Sequence, residues 1–233
     1  MNGANLEASA ILQNELRGCS DYESHREAVA HALGYDEYAD RMPYLPYVVF
    51  AVAALLVTAA AMMRTWAAAY LQSEVVHDPE MRTASVVADG PYRHVRNPLY
   101  LANILMSFGL GLMASRLGWV VIVVGMLIFM YRLIGREEAA LLAGQGERYR
   151  AYHAAVPRLW PALAPRLPSA GSQARWRQAW RGEAFFWGFA LASAAFAATL
   201  QLRYFGAIFV ADFLFYVLLL PLWQRSRERS AHS

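Results

Sequence analysis

Two short stretches carry residue types that can do chemistry together. Residues 90–100 read GPYRHVRNPLY, and Glu137 and Glu138 stand side by side beyond the next two apolar runs. Carboxylates at a membrane boundary are costly unless something compensates them. On a helix the partners would lie three or four residues away; those positions around Glu137 and Glu138 hold no arginine, although Arg132 and Arg136 are near in sequence. A cationic ligand or an arginine from another segment would compensate them; a helix end standing in water would need neither. In the first stretch Arg93, His94, Arg96 and Asn97 precede a helix start at Pro98, a favoured first helical position. Asn97 is then the expected cap, Tyr100 lies one turn in, and the free amides of the helix start suit an anionic group such as a carboxylate. A basic loop flanking a membrane helix would look the same. On the first of each pair of readings, the residues make a polar pocket at a lipid–water boundary, which we read as a cofactor pocket.

The elements that must position these residues are membrane helices. Of the 233 residues 58% are hydrophobic and 17% charged, outside the range of soluble domains. The expected fold class is all-α, a polytopic membrane helical bundle of about five transmembrane helices. Residues 44–64 form the first apolar run, with Arg64 expected to snorkel at its end and residues 65–71 to make an interfacial turn carrying Trp66 and Tyr70. Residues 72–89 read as a loop broken at Asp78-Pro79, with a strand-like piece at Val86-Val87. Runs at 99–115 and 117–131 form a hairpin turning at Arg116, each short against the ~20 residues a span prefers. Gly109, Gly111, Gly118 and Gly125 would let it pack closely on a neighbour. The second helix continues into water to about Ala143, before a break at 144–146. Residues 146–161, GERYRAYHAAVPRLWP, form a polar and aromatic tail, and 161–180 a Pro- and Arg-rich interfacial linker with tryptophans. A last hairpin, 184–202 and 204–222 around Arg203, precedes an arginine-bearing tail. The implied division is 1–43, a polar segment; 44–161, the core; 162–183, the linker; and 184–233, a two-helix module.

All 21 basic residues are arginine. Residues 1–41 carry eight acids against three arginines, while the remainder carries ten against eighteen. Arginines this close to apolar runs speak to topology and anionic lipid, not to nucleic acid. Counting them places 72–98, 132–183 and 223–233 on the cytoplasmic side of what is expected to be a bacterial inner membrane. The two helix-like pieces at 6–17 and 22–33 would then lie outside, on the membrane surface or in solvent. Cys19, the one cysteine, excludes an internal disulfide and lacks neighbours spaced to bind metal, and no metal site is expected. The first residues show no basic segment followed by an apolar stretch, so no cleavable signal is expected.

In order, the pattern GPYRxxRNPxY, an apolar helix with GxG, a second helix ending in EE, and GERYRAYHAAVPR resembles the membrane methyltransferases that include isoprenylcysteine carboxyl methyltransferase and the phospholipid N-methyltransferases. The likeness covers about residues 64–161. It implies S-adenosylmethionine as methyl donor, bound by the hairpin and its flanking loops. It also implies cofactor contacts from Tyr92, Arg96, Asn97, Pro98, Tyr100, Gly109, Gly111, Glu137, Glu138 and Tyr152. The tail pattern falls on Tyr149, Tyr152, Val156 and Arg158. Many relatives have His where this chain has Asn97, which cannot relay a proton near neutral pH.

The cofactor's sulfonium and ammonium suit the two glutamates, its carboxylate suits Arg96 or the helix start, and its adenine suits Tyr92, Tyr100 or Tyr152. Methyl transfer is an in-line displacement, so alignment and exclusion of water are the protein's part. The expected catalytic residues are Arg132, Glu138 and Arg158. Arg132, Arg136 or Arg158 would hold a carboxylate acceptor, whereas an amine acceptor needs an acid or tyrosine to take or relay a proton. The implied substrate is a membrane lipid or a lipidated or amphipathic small molecule, with carboxyl methylation first and phospholipid amine methylation second. Membrane reductases using a nicotinamide share this kind of fold, but paired acids would repel that cofactor's phosphates. A non-catalytic scaffold is the remaining alternative.

Overall fold

The structure is a computed structural model that describes residues 44–74 and 89–231. The expectations for 1–43, and for the breaker and strand-like piece at 78–79 and 86–87, fall outside the described residues. Among the described residues there are six α-helices, one 3-10 turn and no strand, an all-α membrane bundle. The helices are α1 (Leu45–Glu74), α2 (Pro98–Gly111), α3 (Arg116–Ala155), α4 (Trp176–Gly182), α5 (Ala184–Thr199) and α6 (Leu202–Ala231).

α1 is the centre: α2 and α5 pack along it, α4 sits at its end, and α3 and α6 pack outside α2 and α5. Small residues make this approach close, since Val57, Ala60 and Ala61 of α1 meet Ala102 and Met106 of α2 and Ala190 of α5. The expected interfacial turn at 65–71 is instead helix continuing to Glu74. Three alanines, 67–69, favour helix, and they are buried. Thr65 hydrogen-bonds back to the Ala61 carbonyl at 2.9 Å, leaving its hydroxyl satisfied inside the bundle.

Leu45–Leu71 of α1 and the apolar part of α3 are long and apolar enough to cross a bilayer, while α2 and α5 are apolar but shorter. Arg116 opens α3 rather than occupying the turn, and Ser115 caps it by accepting from the Gly118 amide at 3.2 Å. α3 runs beyond the expected end at Ala143 and changes direction at Gly146, whose φ of 57° is one that glycine readily takes. Between α5 and α6 the sharp turn is made by Leu200 at φ 53°. No glycine marks it; the Leu200 side chain is held against Phe50 and Phe196 in a buried cluster.

Arg64 does not snorkel. Its Nε donates to Glu183 Oε2 at 2.6 Å and its Nη1 to Asn103 Oδ1 at 2.5 Å, with the guanidinium 3.6 Å from the centre of the Phe186 ring. One side chain thereby ties α1 to α2 and to the start of α5, and Trp187 adds a hydrogen bond to Thr65 at 3.0 Å. The C-terminal hairpin is thus docked on the core at this end.

Candidate functional site

The polar end of the α2–α3 hairpin is built by a strap. Asp89 is buried, and its carboxylate accepts from Ser169 Oγ at 2.6 Å and from the amides of Ala170 at 3.0 Å and Ser172 at 2.8 Å. Burial pushes this carboxyl up, and those hydrogen bonds outweigh it, so it titrates below the usual aspartate range. Gly90 follows at φ +55°, with a Tyr70 ring where any side chain would stand. The chain from 93 to 96 then runs beside 157–167. The Arg96 amide donates to the Pro157 carbonyl at 2.8 Å, and the Ala162 and Arg166 amides donate to the His94 and Arg93 carbonyls, both at 2.9 Å. Arg93 Nε donates to the Leu167 carbonyl at 2.7 Å and is spent on this pairing.

At the centre stands Glu138, with 3% of its side chain exposed. Oε1 accepts from Arg96 Nε at 3.0 Å and Asn97 Nδ2 at 3.2 Å; Oε2 accepts from Arg158 Nη2 at 2.5 Å, with His153 Nε2 3.6 Å away. Arg96 also donates to the His153 carbonyl and, at 2.7 Å, to that of Val156, satisfying carbonyls at the α3 end that have no helical partner. Asn97 occupies the cap position of α2 but does not cap it, because its amide is engaged with Glu138 and with the Arg158 carbonyl at 3.2 Å. Of the two compensations open in the sequence, arginines from other segments are the one found.

Glu137 points elsewhere, as adjacent helical residues must, standing about 100° apart. It is exposed and accepts from the Tyr100 hydroxyl. Tyr92, Tyr149 and Tyr152 are all buried, with Tyr152 donating to the Tyr92 carbonyl at 2.9 Å. Burial, helped by the neighbouring Tyr152, pushes the Tyr92 phenol well above its ordinary range. Pro98 is buried at the first position of α2.

Arg96, Asn97, Tyr100, Glu137, Glu138, Tyr152 and Arg158 therefore come together with Tyr92. Arg132 does not join them: it is exposed, two residues from buried Met130 and Ile134 and so across the helix from the face that carries Glu138. Nor do the two glycines, which lie roughly 16–20 Å along α2 from Pro98. A Cβ on Gly109 would sit 2.7 Å from Val57 and 2.8 Å from the Ala53 carbonyl, and one on Gly111 2.9 Å from Trp119. Both serve helix packing. His153 is a participant that helical spacing cannot reveal, since the break at Gly146 resets the helical phase between it and Glu138.

Two curated relatives are similar over part of their length. The nickel-cobalt-cadmium resistance protein NccN of Alcaligenes xylosoxydans xylosoxydans is 27% identical over 135 residues, 58% of this chain and 59% of that one. The cobalt-zinc-cadmium resistance protein CzcN of Cupriavidus metallidurans is 29% identical over 107 residues, 46% of each chain. The chain thus spans about half the length of the curated relatives it matches, whose names describe those proteins. No solved structure matches. Residues 48–145 match the phospholipid methyltransferase family. That stretch holds most of α1, the turn bearing Arg96 and Asn97, all of α2, and α3 through Glu138. Over this stretch, which is under half of the chain, it is similar to the phospholipid methyltransferase family of membrane enzymes.

Proposed function

We propose that the chain transfers a methyl group from S-adenosylmethionine to a lipidic or amphipathic acceptor at the bilayer boundary. The observation that carries this reading is the convergence on Glu138. Segments 42 and 20 residues away supply Arg96 and Arg158, and Glu137 stands exposed beside them. The donor set fits the cofactor's amino-acid end. Arg158, with 40% of its side chain exposed, and the first amides of α2 suit a carboxylate. Glu137, steadied by Tyr100, suits an ammonium. Glu138, committed to two arginines, positions Arg158 rather than meeting a cation itself.

When bound, S-adenosylmethionine supplies an electrophilic methyl on a sulfonium. The chain's residues orient and shield. Arg158 holds an anionic group, and the α2–α3 hairpin keeps water away from the displacement. For a carboxylate acceptor no base is needed, and carboxyl methylation is the first reading. Arg132, on the outer face of α3, would meet such an acceptor only from the lipid side. The family's description favours a second reading, a phospholipid amine. There Glu137 Oε1, hydrogen-bonded to the Tyr100 hydroxyl, is the proton acceptor in reach. The arginine distribution supports placing the site on the cytoplasmic side of a bacterial inner membrane.

The test is to incubate membranes containing the protein with methyl-labelled S-adenosylmethionine and extract the lipids. Label released as methanol by mild base identifies a carboxyl ester; label stable to base identifies an N-methyl group. No label in lipid or amphipathic extracts, beside an active control, would overturn the reading.

A further inference from the structure

The linker between the polar strap and α5 carries a surface that the methyl-transfer reading leaves unused. Residues 162–182 contain Arg166, Arg175, Arg177 and Arg181 and no acid. Within them α4 reads WRQAWRG. Its Ala179 is fully buried against Ala68 and Ala69 of α1, and the Arg175 amide donates to the Ala69 carbonyl at 2.9 Å. The helix is therefore seated a little beyond Arg64, near the end of the apolar stretch Leu45–Leu71 of α1. With Ala179 facing inward, the other side of α4 presents two pairs at i, i+4 spacing: Trp176 with Trp180, and Arg177 with Arg181. The tryptophans are 46% and 49% exposed, and both arginines are exposed. Trp180 is held in place, its ring stacked 4.7 Å from that of Trp187 on α5.

We propose that this Trp-Arg face of α4 is a binding surface for the phosphate headgroups of anionic phospholipids in the adjoining leaflet. Indole rings partition to the headgroup level of a bilayer, where their apolar bodies and polar N–H groups are both accommodated. Arginine forks match phosphate oxygens in a two-pronged contact, and each basic residue near an anionic leaflet adds attraction. Charge also argues against a second copy as the occupant. Two such faces would bring four arginines together without an acid between them.

The test titrates detergent-solubilised protein with short-chain phosphatidylglycerol or phosphatidylcholine, following tryptophan emission. The wild type is expected to prefer phosphatidylglycerol by roughly tenfold or more, with the preference shrinking in about 0.5 M salt. The Arg177→Gln/Arg181→Gln double variant is expected to lose the preference. Arg203→Gln, in the first turn of α6 at the far end of the hairpin, is expected to keep it. Equal binding of the two lipids by the wild type, or an undiminished preference in the double variant, would overturn the proposal. Self-association that the double variant abolishes, with no lipid preference, would assign the face to a second copy and overturn it too.

Discussion

Two carboxylates show how differently this chain treats charge at its two hairpins. Glu138, in the α2–α3 hairpin, is buried among two guanidinium groups and an amide drawn from distant segments. Asp212, in the α5–α6 hairpin, presses against Gly188, where a Cβ would collide with its carboxyl, and its buried Oδ2 has no partner. Rings join the same two helices: Phe185 lies 6.1 Å from Phe209 and 5.7 Å from Tyr216. The first hairpin is held by polar groups in defined directions, the second by shape and apolar contact. Directional polar contacts are what a site for a charged ligand needs, because they fix where the remaining unshared charge points.

Breaking the contacts should expose the difference. Glu138→Ala leaves Arg96, with 8% of its side chain exposed, without its carboxylate; a loss of about 3–5 kcal/mol is expected, read as thermal unfolding in detergent. A near-neutral result would mean that the network is not what holds this end together.

Asp89→Asn removes the charge that anchors the strap and should cost about 2 kcal/mol at neutral pH. The folded protein lowers this carboxyl's pKa below its ordinary 3.8, so its stabilisation is complete above that value. It disappears as pH falls through the folded pKa. The gap between wild type and variant should therefore close in acid; a gap that stays constant with pH would deny the anchor its charge.

Asp212→Ala is expected to change stability by no more than about 1 kcal/mol in either direction, since it removes a buried polar atom that nothing satisfies. Unfolding as severe as that of Glu138→Ala would erase the contrast between the hairpins.

Much of this was legible in the sequence, for physical reasons. Apolar runs gave the helices, Pro98 gave the start of α2, and a hairpin of the right length had to return Glu138 toward Arg96. What stayed hidden depends on side-chain direction. Neighbours at three and four residues cannot reveal that Glu138 takes Arg96 and Arg158 while Glu137 takes Tyr100. Arg64 read as a snorkelling end because Glu183 and Asn103 lie 119 and 39 residues away. Gly109 and Gly111 read as packing residues, and only the resemblance implied cofactor contacts there; Val57, Ala53 and Trp119 fill the space beside them. The turn at Leu200 carried no glycine to announce it.

The most direct test of the central claim is calorimetric titration of detergent-purified protein with S-adenosylhomocysteine, for the wild type and Glu137→Gln. The wild type is expected to bind, and the variant to bind roughly tenfold more weakly through loss of one charge-assisted contact. Failure of the well-folded wild type to bind would contradict it.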